Sequence, residues 1–62
     1  MKLDPEIHAA VHDEIARAER ARHAMLYEIE HGDSPDTLRI LLLAMATSYE
    51  RAAQRMGDAY GH

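Results

Sequence analysis

Two uninterrupted stretches without glycine or proline constrain this chain more than any other feature. One runs from Glu6 to His31 and the other from Asp36 to Met56, and each opens directly after a proline, Pro5 or Pro35. Proline suits the first position of a helix, where its missing N–H would have no partner, and is excluded from the interior. Glycine is the common residue just past a helix end. The pattern predicts one helix over about 5–31, a turn at 32–34 and a second helix over about 35–56. Asp4 is placed to cap the first helix, with Glu6 at the positive end of its dipole. Ser34 or Asp33 caps the second, with Asp36 in its first turn. Gly32 is expected in the left-handed stop position, and Gly57 and Gly61 to loosen the tail. So short a connection makes the helices antiparallel neighbours.

Composition agrees with an all-α fold. The chain has no Phe or Trp, and Val and Thr together number three, Val11, Thr37 and Thr47. Strand-favouring residues are therefore scarce. With 62 residues there is room for one domain, a single helical hairpin over 1–62. No cysteine is present, which removes disulfides, thiolate metal sites and a Cys nucleophile. Small secreted domains usually rely on disulfides, so the expected location is the cytoplasm. The start, MKLDPEIH, carries Asp4 and Glu6 and no apolar stretch, unlike a signal peptide. The longest apolar run, Ile40 to Ala46, is far short of the roughly 20 residues that cross a membrane.

The helical wheel separates the two segments. Centred on Ala18, the first helix places Ile7, Val11, Met25 and Ile29 within about 20° of the centre. Ile15 and Leu26 fall on one shoulder, and Leu3 and Ala21 on the other. Glu14 and Arg22 intrude on opposite shoulders, about 40° out. Edge charges of this kind can simply snorkel. They can also form a polar layer that fixes register: antiparallel copies of the first helix crossing near Ala18 would bring Glu14 of one chain to Arg22 of another. In the second helix, a face centred on Met45 holds Leu38, Leu41, Leu42, Tyr49, Ala52, Ala53 and Met56, and is expected to form the hairpin seam. Ile40 and Leu43 point the other way. The stretch LRILLLAMA is thus apolar nearly all round, the pattern of a helix buried on all sides.

Chains this small generally need disulfides, metal or association to complete a core. With disulfides excluded, two hairpins forming a homodimeric four-helix bundle is the simplest expectation, and twofold symmetry the commonest arrangement. Val11, Glu14, Ile15, Ala18, Arg22, Ile40 and Leu43 are the expected interface. A larger protein partner could cover the same surface.

Constellations that could carry chemistry are few. His8 and His12 are spaced i, i+4, a two-ligand metal spacing, with Asp4 one turn before. Glu28 and His31 form Glu-x-x-His, the spacing of di-iron bundles, though on the outer flank and at a helix end. Ser34 is explained as a cap, and Ser48 as a small residue permitting close helix approach. There is no phosphate loop or nucleophile elbow. Net charge is −4 and the arginines are interspersed with acids, which argues against a nucleic-acid surface. Glu14 with Arg17, Asp13 with Arg17, and Glu50 with its neighbours suit intrahelical pairs. The expectation is a non-enzymatic, homo-oligomeric interaction module (accessory subunit, adaptor or regulator) with no cofactor, nucleic-acid or membrane partner. The alternative is a metal-binding or metal-storing bundle using His and Glu ligands.

Overall fold

The computed structural model describes residues 2–32 and 34–61. Helix α1 spans Pro5–His31 and helix α2 spans Pro35–Tyr60, packed against each other as a hairpin. Its extents are 42 × 18 × 14 Å. The length is that of one 27-residue helix at about 1.5 Å per residue, so the pair is one helix long and two helices wide.

The ends show which caps the chain uses. Ser34 is the N-cap of α2: its hydroxyl accepts from the Thr37 N–H at 3.3 Å, and the Thr37 hydroxyl donates to it at 3.1 Å. Asp33, the alternative cap, lies outside the described residues. Asp4 precedes α1 but its carboxylate makes no cap hydrogen bond. Instead its backbone N–H donates to the Tyr60 hydroxyl at 3.1 Å. That bond ties the end of α2 to the start of α1. It helps α2 run through Gly57 to Tyr60 rather than ending near Met56, since one interior glycine costs only about 1 kcal/mol.

Gly32 is not left-handed. Its φ of −92° and ψ of 171° are extended, while its N–H still donates to the Glu28 carbonyl. A Cβ here would meet only the Glu28 carboxylate, the far end of a flexible side chain that can turn aside.

The seam follows an alternating 4–3 spacing. On α1 this spacing runs through the covered or half-covered Ile7, Val11, Glu14, Ala18, Ala21, Met25 and Glu28, and from the Ser34 cap along α2 through Leu38, Leu41, Met45, Ser48 and Ala52; Ala10, Ala16, Thr37 and Met56 are half-covered outside it. This is the spacing of a coiled-coil seam. The buried hydrophobic side chains among the described residues are only Ala18 and Ala52, with Ser48 and Glu14 beside them. Small side chains at the centre allow close helix approach, and the bulkier apolar residues are left to the flanks.

This placement corrects the wheel reading. The covered stripe of α1 is centred about 35° from Ala18, on the shoulder that carries Glu14 and Ala21. Glu14 therefore lies at the middle of the seam rather than at its edge. Leu42 and Tyr49 lie outside the α2 seam, exposed beside it. The wheel weighted every apolar residue alike, whereas the most deeply covered part of the seam is filled by Ala18, Ala52, Ser48 and Glu14.

Candidate functional site

Two features stand out on this frame: a charged cluster through the seam and an uncovered apolar face. Glu14 is 2% exposed and is the largest fully buried side chain among the described residues. Arg17 Nη1 lies 3.3 Å from Glu14 Oε1, one turn along α1, and Arg55 Nε reaches Oε2 from α2 at 3.6 Å. Both arginines are about half exposed, so the carboxylate is buried while its partners stay in water. No described buried side-chain nitrogen or oxygen lacks a hydrogen-bond partner.

Glu14 is thus engaged within its own hairpin. Arg22 pairs instead with Glu19, three residues earlier, at 3.6 Å. Ala18 is 0% exposed and covered by its own chain, which leaves it no surface to offer a second copy. Of the expected crossing, Glu14 and Ala18 are covered by α2 within the hairpin, while Arg22 is exposed beside Glu19.

The remaining expected interface residues divide into two groups. Val11 is half-buried, and Ile15 and Arg22 are exposed on one flank of α1. Ile40 and Leu43 are 61% and 55% exposed, on the side of α2 away from α1.

Helical phase shows which exposed residues share a surface. Viewed from one end, α1 recedes and α2 approaches, so positions displaced in the same rotational sense from their seams lie on the same face of the pair. Ile15, Leu26 and Ile29 are displaced about 55–115° from the α1 seam, and Leu42, Tyr49 and Tyr60 about 65–85° from the α2 seam in that same sense. All six are large, exposed and on one broad face. The opposite side carries Arg17, Arg51, Arg55 and Asp58, with Ile40 in the same helical phase as Asp58. Sequence reasoning took Leu42 and Tyr49 for seam residues and missed Arg55 and Glu19 as charge partners. The i, i+3 spacing of Glu19 and Arg22 was the signal for that pair; nothing local marks Arg55, whose partner lies on the other helix.

The metal candidates stay dispersed. The His8 and His12 rings stack with centroids 6.1 Å apart, and His31 packs against the Tyr27 ring at 4.6 Å. Among the described residues, no three His, Asp or Glu side chains gather to hold an ion. A shallow groove of about 230 Å³ at the open end is lined by Ile7, Arg55, Asp58 and Ala59. No helix is long and apolar enough to cross a membrane.

These features define an all-α helical hairpin with one uncovered apolar face. Comparison with protein-family models, curated proteins and solved structures finds no match.

Proposed function

We propose that this chain is a small non-enzymatic interaction module, an accessory subunit, adaptor or regulator, that acts in the cytoplasm as a homodimer. Two hairpins pack face to face as a four-helix bundle. The observation that carries this reading is the inversion of the usual burial pattern. Alanines occupy the covered seam, while Ile15, Leu26, Ile29, Leu42 and Tyr49 remain between 42% and 57% exposed on one face. Large side chains stabilise a fold by about 1.5–3 kcal/mol each when covered, so a second layer on this face supplies the core that the hairpin lacks. The face measures about 42 × 18 Å, close to the roughly 800 Å² per partner of a stable interface.

Ile40 and Leu43 point away from that face, and in this reading they are left for a larger protein partner. Light scattering at micromolar concentration tests the core of the proposal. The expected mass is twice the 7.0 kDa of one chain. A well-folded monomer would overturn it.

A further inference from the structure

The exposed face is self-complementary, and its symmetry selects one arrangement of two copies. Along α1, Ile15 and Leu26 are equidistant from a point between Arg20 and Ala21, and so are Glu19 and Arg22. Val11 and Ile29 are also equidistant from that point to within a residue. Along α2, Leu42 and Tyr49 are equidistant from a point between Met45 and Ala46, and so are Leu38 and Ala53. Each helix therefore matches apolar with apolar when reversed about its own midpoint, and α1 also matches acid with base.

The two midpoints lie within about three residues of the same height. The register of the hairpin is fixed by two cross-links, Asp4 with Tyr60 and Glu14 with Arg55. Antiparallel helices advance equally in opposite directions, so these links put Arg20 and Ala21 level with about positions 43–49 of α2. The α2 midpoint falls inside that window. A line across the face, perpendicular to both helices, passes within about one helical turn of both centres.

We infer that two copies meet about a twofold axis along this line, α1 on α1 and α2 on α2, with their turns at opposite ends. This rests on the homodimer reading above and goes beyond it by fixing the arrangement. Ile15 of one copy then packs on Leu26 of the other, and Leu42 on Tyr49. The Glu19–Arg22 pairs of the two copies stack in opposite directions, so each arginine meets a glutamate within its own helix and another across the interface. The Arg22 stem covers apolar surface while its head closes this four-charge cluster. The other twofold bundle, with the axis along the helices and both turns at one end, sets α1 against α2 and forms none of these matches.

Charge complementation and cross-linking test the arrangement. A chain with Glu19→Arg presents two positive charges at the centre, and one with Arg22→Glu presents two negative ones. Each alone should dimerise about tenfold or more weakly than the wild type, and an equal mixture should recover dimers made of one chain of each kind. The protein has no cysteine, so Ile15→Cys and Leu26→Cys each introduce a single thiol. Mixed, they should join efficiently through a short bis-maleimide, while neither should join to itself. A wild-type dimer with no preference for the mixed charge pair, or with any other cross-linking pattern, overturns this arrangement alone. A wild-type monomer overturns both it and the homodimer reading.

Discussion

Arg55 Nε stands 3.6 Å from Glu14 Oε2, linking α2 to α1 at a carboxylate that the hairpin has taken almost wholly out of water. A buried charge held by two half-exposed arginines fixes helix register more than it adds stability, because desolvation offsets most of the attraction. A shift of either helix by one residue would separate Glu14 from Arg55 and leave the carboxylate with Arg17 alone.

Substitutions at this pair should therefore move stability in opposite directions. Glu14→Leu replaces a buried ion by apolar volume and is expected to raise the unfolding free energy by about 1–3 kcal/mol. Arg55→Ala removes a half-exposed partner and should lower it by about 1 kcal/mol, allowing for solvent screening. Chemical denaturation at matched protein concentration measures both. A loss of stability in Glu14→Leu would mean that the carboxylate is a net stabiliser.

The two helix starts should respond unequally. Ser34→Ala deletes the acceptor of the Thr37 N–H and should cost about 1 kcal/mol. Asp4→Ala deletes no cap bond and should stay within about 0.5 kcal/mol of the parent. Equal losses in thermal unfolding would contradict the observed caps.

Seam, face and outer ridge are separated by three substitutions to aspartate. Met45→Asp puts an unpaired charge into the seam and should abolish helicity by circular dichroism. Leu42→Asp, on the open face, should keep helical signal at high concentration while halving the mass in light scattering. Leu43→Asp, on the far side of α2, should leave both unchanged. Loss of helicity in Leu42→Asp at every concentration would show that folding and association are one step.

Metal should be dispensable. Protein purified without a metal-affinity column is expected to carry no stoichiometric metal and to keep its helicity with chelator. His8 and His12 offer two ligands, and a stable site generally requires more. One tightly held ion per chain, lost in His8→Ala, would reverse this ranking.

The hairpin was legible from Pro5, Gly32, Ser34 and Pro35, because capping and helix-breaking act locally and one residue suffices to signal them. The rotation of each helix about its axis was not. On α1 two stripes compete, the bulky apolar one through Ile15, Leu26 and Ile29 and the one through Glu14 and the alanines Ala18 and Ala21. Hydrophobicity favours the first, but close backbone approach favours the second, and α2 meets it with Ser48 and Ala52. The same difficulty hid Arg55: a partner 41 residues away is visible only once the helices are registered. Extension of α2 to Tyr60 depended on another such contact, the bond to the Asp4 N–H.

Ile40 and Leu43, on the outward side of α2, would acquire a different meaning in the proposed dimer. A twofold axis would duplicate that ridge, so one bundle would display two identical strips. A target with two matching grooves, or two linked copies of one, would bind the second strip at the high effective concentration created by the first. Avidity would then depend on the spacing between strips, which the proposed Glu19–Arg22 register would set, and either strip alone could stay too weak to hold the wrong partner.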